Sequence, residues 1–266
     1  MFVHGIPTDH RAWNAQVPAL AGRFRVITLS RRYAYPNERE GDVRDSTIEN
    51  NAEDLSGLIS HLGLPSVHLV GHSYGGFISA YLASRKPELV RSLILVEPSI
   101  ASLLLKDPNS AGQRLRLLFT HPRVALSAQR FLKRSNDPAM AALGKHDLPS
   151  AVRLNLDGVE DRSRVLEQLP ADAQAMMLAN GRTIGETGLP YPALGPSELR
   201  SIRSPTLVVR GETSALWLRA IAEMTGKAIP GARLVTVPSA GHYAHMQNPD
   251  EFNRVLLDFL HQHIMR

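Results

Sequence analysis

The chain has 266 residues, of which 43% are hydrophobic and 21% are charged, the balance of an ordinary globular protein. It contains no cysteine, which excludes disulfide bonds, thiol nucleophiles and thiolate metal ligands. The net charge is +5 with charges of both signs interspersed, so we expect neither a nucleic-acid nor a membrane partner. No apolar run reaches the length of a membrane span and no secretory leader is recognisable, so we expect a cytoplasmic protein.

Short apolar, β-branched runs alternate along the chain with helical patterns. Such runs are typical of strands buried on both faces of a parallel sheet. We predict six strands, at residues 2–3, 24–29, 67–70, 93–96, 206–209 and 233–237. The fold class is therefore α/β, with a mostly parallel, doubly wound sheet.

Three helices of this core have clear sequence signals. A capping box with Ser46 as the cap and Glu49 in the first turn predicts a helix that ends at Gly63. A second helix is predicted over 77–85, before Pro87, and a third over 252–264.

The stretch from about 100 to 201 differs from the rest of the chain. It has helical pieces interrupted by prolines and no convincing strand, which favours a helical cap over the carboxyl ends of the strands. We predict a core of residues 1–99 and 202–266 and a cap of residues 100–201. The cap contains a basic stretch that no acidic residue interrupts: Arg114, Arg116, Arg123, Arg130, Lys133 and Arg134. We interpret this stretch as a solvated helix face, or alternatively as a group of cations that steers an anionic substrate towards the cap.

One motif carries most of the functional information. Gly71-His72-Ser73-Tyr74-Gly75-Gly76 directly follows a predicted strand and precedes a helix, the pattern of a nucleophile elbow. A serine on such a tight turn projects its hydroxyl clear of the sheet, and the glycines prevent collisions with the neighbouring backbone. A serine held in this way is chemically useful when a base takes its proton and donors receive an oxyanion.

Together with two further motifs, the elbow resembles the α/β-hydrolase superfamily, in its capped esterase and lactonase-like branch with a Ser-Glu-His triad. His4-Gly5-Ile6-Pro7 resembles the oxyanion loop, and the segment from Gly241 to His245 resembles the histidine loop. The resemblance implies Ser73 as nucleophile and His242 as base and acid. It also implies an oxyanion hole from the backbone N–H groups of Ile6 and Tyr74.

The third triad member departs from the usual pattern of the superfamily. Where the resemblance places an acid, after the strand at 206–209, this chain has Ser214. Glu97, at the end of the run Leu-Ile-Leu-Val, and Glu212 are the two candidates. We favour Glu97, because a charged residue at the mouth of a buried strand needs a partner. The alternative is that Glu97 caps the strand end or pairs with an arginine of the cap.

The superfamily also has an N-terminal hairpin that this sequence lacks. The strand at 24–29 should therefore be an exposed edge of the sheet. We expect this edge to be short and charged at its ends by Arg23, Arg25 and Arg31, or to be covered by a second chain in a homodimer. The alternative explanation is a sequence that starts too late.

These observations predict hydrolysis of a carboxylic ester or lactone through an acyl-enzyme, with no metal or organic cofactor. Four apolar residues of the cap favour a small hydrophobic substrate: Leu103, Leu104, Phe119 and Met176. Two alternatives stay open. One is a carbon–carbon bond hydrolase, which an arginine in the pocket would favour, and the other is a non-catalytic ligand-binding protein of the same fold.

Overall fold

The computed structural model describes residues 1–37, 43–107 and 110–263. Its centre is a sheet of six strands in the order β2-β1-β3-β4-β5-β6, and every neighbouring pair is parallel. The strands are β1 Phe2–Val3, β2 Thr28–Leu29, β3 Val67–His72, β4 Val90–Val96, β5 Thr206–Gly211 and β6 Arg233–Val237. The predicted fold class is confirmed.

The predicted edge of the sheet is observed at β2, but in shorter form. Only Thr28 and Leu29 of the predicted strand 24–29 pair with β1. Arg23 and Arg25 are exposed beside the edge, as expected. The expectation for Arg31 is wrong, because this side chain turns inward and is buried against the carboxylate of Glu186.

Helices cover both faces of the sheet. The core helices are α1 Val17–Ala21, α2 Ile48–His61, α3 Tyr74–Arg85, α11 Leu216–Ala228, α12 Ala244–Gln247 and α13 Pro249–His261. Alternate residues of β4 separate the two layers: Leu93 and Leu95 pack with the cluster of α2, α3 and α11, whereas Ile94 and Val96 pack with α13. The end predicted for the last helix, Ile264, lies outside the described residues.

The start of α2 differs by one residue from the predicted capping box. Thr47 is the cap, and its side chain accepts a hydrogen bond from the backbone N–H of Asn50. Ser46 is buried and donates its hydroxyl to Glu186 at 2.7 Å. The hydroxyl of Ser46 is therefore used in a tertiary hydrogen bond, and the next residue with a hydroxyl, Thr47, caps the helix.

Between β4 and β5 the described residues form helices and no strand. We call residues 100–201 the cap segment, whose boundaries stay a prediction. Its helices are α4 Ala111–Thr120, α5 Pro122–Phe131, α6 Asp137–Gly144, α7 Leu148–Glu160, α8 Val165–Gln168, α9 Ala171–Ala179 and α10 Pro196–Leu199. A π-helical turn, Leu132–Asn136, joins α5 to α6, and a 3₁₀ segment, Gly181–Gly188, follows α9. No helix in the described part of the chain is long and apolar enough to cross a membrane.

Candidate active site

Ser73 stands on a strained turn between β3 and α3. Its φ is 51° and its ψ is −116°, a conformation that L-residues rarely adopt. A Cβ on Gly71 would collide with the backbone of Gly75, and one on Gly75 would collide with the carbonyl oxygens of Val3 and His4. The helix can therefore approach the sheet this closely only with glycine at both positions.

His242 lies in the loop after β6, with its ring next to the serine. The distance from Ser73 Oγ to His242 Nε2 is 2.9 Å, and both side chains are buried. The backbone of this loop is held in place, because the carbonyl of His242 accepts a hydrogen bond from His72 Nε2 at 2.9 Å. This geometry allows the imidazole to take the hydroxyl proton of Ser73.

Glu97 follows β4 and lies on the far side of the same imidazole. Its Oε2 is 3.4 Å from His242 Nδ1, and its Oε1 accepts the backbone N–H of Gly211 at 2.6 Å. Glu97 is fully buried and has a positive φ of 48°. Because a carboxylate only accepts hydrogen bonds, Nδ1 carries the proton and Nε2 is free to accept one from Ser73.

The other candidate acid points elsewhere. Glu212 is exposed, and its Oε2 accepts the backbone N–H of Ser239 at 2.9 Å. Ser214 is buried, and its hydroxyl has no hydrogen-bond partner among the described residues. Of the two carboxylates considered from the sequence, the geometry brings only Glu97 to the histidine.

The predicted oxyanion donors border the same space. Ile6 follows β1, Tyr74 begins α3, and both line the cavity that contains Ser73. The loop is held in place by the hydroxyl of Tyr243, which donates to the carbonyl of Ile6 at 3.1 Å. His4 is buried beneath the loop, and burial together with the neighbouring Arg31 lowers its pKa to about 3.

An ion pair that the sequence did not reveal joins this loop to the cap segment. Arg31 Nη1 donates to Glu186 Oε2 at 2.8 Å, and both side chains are buried. Arg31 Nε also donates to the carbonyl of His4 at 3.0 Å. Burial raises the pKa of Glu186, an effect that Arg31 and the Ser46 hydroxyl partly offset. The pair ties the oxyanion loop to the wall of the cavity.

Two further buried histidines lie beside His242. The rings of His72 and His245 are tilted by 52° with their centroids 4.5 Å apart, and His245 also contacts the ring of Trp13 at 4.3 Å. Burial lowers the pKa of His245 to about 3 and that of His72 well below its usual value. The described residues contain no group of three or more acidic or histidine side chains that could hold a metal ion. The ring of His245 packs between those of Trp13 and His72.

The cavity above Ser73 has a volume of about 810 Å³ and a mostly apolar wall. Leu104 lines it, as expected from the sequence, but the expectations for Leu103, Met176 and Phe119 are wrong. The first two are buried away from it, whereas Phe119 is 78% exposed on the outer surface. The apolar residues that form the wall are Phe77, Leu105, Leu117, Phe131, Leu132, Val159, Leu189, Tyr191, Trp217 and Leu218.

Comparison with known proteins identifies the family of this fold. The model of the family described as alpha/beta hydrolase fold matches residues 1–249. Over 99% of its length the chain is 28% identical to a Pseudomonas putida protein, the dihydrolipoyllysine-residue acetyltransferase component of an acetoin cleaving system, and it spans 63% of that protein. It is 26% identical to the 2-(acetamidomethylene)succinate hydrolase of Mesorhizobium japonicum, over 98% of this chain and 87% of that one.

A solved structure extends the comparison to three dimensions. MenH from S. aureus superposes with a TM-score of 0.71 and 19% identity, over 98% of this chain and 92% of that chain. At this identity the likeness concerns the fold alone.

Proposed function

For this chain, which belongs to the α/β-hydrolase fold family, we propose a serine hydrolase that cleaves a carboxylic ester or lactone through an acyl-enzyme. The observation that carries the proposal is the continuous contact from Ser73 Oγ to His242 at 2.9 Å and from His242 to the buried Glu97 at 3.4 Å. Membership of the family supports hydrolysis in general. That the cleaved bond is a carboxylic ester or lactone bond is the proposal.

In the first half of the reaction Ser73 Oγ attacks the substrate carbonyl carbon while His242 Nε2 takes the hydroxyl proton. Glu97 stabilises the imidazolium that forms. The carbon–oxygen bond of the ester then breaks, and His242 returns the proton to the leaving oxygen. In a lactone this oxygen stays tethered to the acyl chain, so the product leaves after the second half-reaction.

The second half repeats these steps with water. His242 takes a proton from the attacking water, the tetrahedral intermediate collapses, and Ser73 recovers its hydrogen as the acid leaves. In both halves the negative charge develops on the former carbonyl oxygen. We assign the backbone N–H groups of Ile6 and Tyr74 to that oxygen, since both residues border the cavity beside Ser73.

The cavity supports a hydrophobic acyl or alcohol group as the preferred substrate. Its volume of about 810 Å³ is in the range of small-molecule sites, and Phe77, Leu218 and Trp217 face it. Its charged lining residues are Lys106, Asp107 and Glu186. Because Glu186 is paired with the buried Arg31, its charge is balanced within the wall.

The carbon–carbon bond hydrolase is less well supported. It would be favoured by an arginine that reaches the cavity to hold the carboxylate of its substrate. No arginine is among the described residues that line the cavity, where the lining cation is the exposed Lys106. The amide-type substrate named for the Mesorhizobium relative makes amides the competing class to test. A non-catalytic binding protein would not need a nucleophile on a strained turn.

The proposal is tested with a panel that contains p-nitrophenyl butyrate and decanoate, a δ-lactone and the corresponding N-alkyl amides. We expect the esters or the lactone to be hydrolysed fastest, with the Ser73→Ala variant inactive and the acyl-enzyme visible by intact mass after rapid quenching. Faster cleavage of the amides, or ester hydrolysis that survives Ser73→Ala, would contradict it.

A further inference from the structure

The outer surface of helix α4 is unusual for a globular protein. No residue of this helix is fully buried. Leu115, Leu118 and Phe119 lie at spacings of three and four residues, so they share one helix face, and they are 54%, 43% and 78% exposed. A contiguous exposed patch of large apolar side chains commonly marks a surface that meets a partner.

Exposed apolar side chains continue along the chain into the next elements, and one of them reaches the active-site cavity. Leu126 on α5 and Leu132 after it are 54% and 43% exposed. Leu132 also lines the cavity, as does Leu117 on the inner side of α4. The helical pair α4–α5 therefore separates the cavity from solvent with a thin layer that is apolar on both sides.

The segment that contains this patch is basic, and two of its cations are paired, Arg130 with Asp161 and Lys133 with Asp137. Between Asp107 and Asp137 the chain has six lysines and arginines and no acidic residue, so this segment carries +6. The whole chain carries +5, which leaves −1 for everything else. Four of these cations are exposed, and their guanidinium groups have no ionic or hydrogen-bonding partner among the described residues: Arg114, Arg116, Arg123 and Arg134.

We propose that this docking face (Leu115, Leu118, Phe119, Leu126 and Leu132 with the four unpaired arginines) binds the surface of an anionic lipid bilayer. Exposed leucine and phenylalanine flanked by cations are the features of helices that lie in the interface of a membrane. The phosphate groups of anionic lipids neutralise the arginines while the apolar side chains enter the acyl boundary.

A second copy of the chain fits the same face less well. Two copies meeting there would bring the unpaired arginines of both together, while Asp161 and Asp137 already pair with Arg130 and Lys133 within each copy. The proposal contradicts our expectation of no membrane partner. That expectation rested on charges being interspersed along the chain, whereas the excess charge is concentrated in the one segment between Asp107 and Asp137. Membrane binding at this face goes beyond the proposed function, because the surface is the same whether or not the protein is catalytically active.

The test is co-sedimentation of the Ser73→Ala protein with vesicles, which keeps binding separate from catalysis. We expect binding to vesicles of phosphatidylcholine with phosphatidylglycerol, weaker binding to phosphatidylcholine alone, and loss of binding as salt is raised. Replacing Arg114 and Arg116 by glutamine should weaken binding to the anionic vesicles by about fivefold per arginine. Replacing the exposed Phe119 by serine should weaken it by about tenfold or more.

Matched controls come from elsewhere on the surface. Arg203→Gln removes an exposed cation and Leu234→Ser removes a 38% exposed leucine, and both should bind vesicles like the parent. Equal loss in the control and docking-face variants would overturn the proposal. So would an absence of vesicle binding, and so would a concentration-dependent dimer that Phe119→Ser dissolves, which would assign the face to a second copy.

Discussion

The role of Glu97 is the part of the mechanism that a single substitution tests most sharply. In Glu97→Gln the amide oxygen can still accept the backbone N–H of Gly211, now 2.6 Å from Oε1. That leaves the amide NH₂ directed at His242 Nδ1, which must then accept a hydrogen bond. The imidazole proton moves to Nε2, where it faces Ser73, and the base is blocked.

The size of the effect follows from the distance. A positive charge on the imidazole 3.4 Å from the carboxylate is stabilised by about 5 kcal/mol at an effective dielectric constant of about 20. Each tenfold change in rate corresponds to about 1.4 kcal/mol, so the loss of this charge should lower kcat by between three and four powers of ten, about 10³–10⁴-fold. KM should change little, since the substrate does not contact Glu97.

The assay is steady-state hydrolysis of p-nitrophenyl butyrate, with circular dichroism and urea unfolding to verify that each variant is folded. Glu212→Gln is the matched control, because Glu212 is exposed and bonded to a neighbouring backbone N–H, and it should retain kcat within about twofold. The reverse ranking, or a loss below about tenfold in a folded Glu97→Gln protein, would refute the reasoning.

Further predictions concern stability. Burial lowers the pKa of His4, His72 and His245, so these side chains bind protons in the unfolded chain below about pH 6.5 but not in the folded chain. The free energy of unfolding, measured with urea, should therefore fall by about 1.4 kcal/mol per pH unit for each of the three histidines as the pH is lowered. His245→Phe removes two ring nitrogens without partners and should reduce that slope by one proton; an unchanged slope would contradict the assignment. Glu186→Gln leaves its buried arginine unpaired and should cost about 3–5 kcal/mol in the free energy of unfolding, and a cost below about 1 kcal/mol would show that the pair is not buried as described. Gly75→Ala should lower both stability and ester hydrolysis, because its Cβ meets backbone oxygens, whereas Gly57→Ala in the open face of α2 should be neutral or stabilising; equal effects at both positions would contradict the close approach at the elbow.

The sheet was predictable because its signal is local. Strands buried on both faces require continuous apolar runs, which mark β3, β4 and β5, and the apolar pattern also indicates the largely exposed edge strand β6. Their ends were less predictable. β3 continues through Gly71 and His72 and β5 through Gly211, because pairing with neighbouring strands extends them past the apolar run. β2 is shorter than its apolar run, because β1 offers only two residues for it to pair with.

The candidate site divides in the same way. Ser73 and His242 stand in recognisable motifs, and Glu97 was identified because a carboxylate at the end of a buried run needs a partner. The ion pair between Arg31 and Glu186 has no such signal, since its members are 155 positions apart in the chain. Ser46 was predicted as a helix cap for the same reason, because the neighbouring sequence does not reveal its contact with the distant carboxylate of Glu186.

The surface of the cap segment shows a further limit. The exposed apolar residues of α4 share one helix face, and Phe119, one of them, was expected at the substrate site because it is a large apolar residue of the cap. In the folded chain this face is turned outward instead. Periodicity identifies an apolar helix face but does not say whether protein, substrate or membrane covers it.

The central claim is that Ser73 is an activated nucleophile, and covalent labelling with a fluorophosphonate tests it without knowledge of the substrate. We expect stoichiometric modification of the purified protein, localised to Ser73 by peptide mapping, and loss of labelling in folded His242→Ala protein. A folded parent protein that stays unlabelled, or one labelled equally well without His242, would contradict the account.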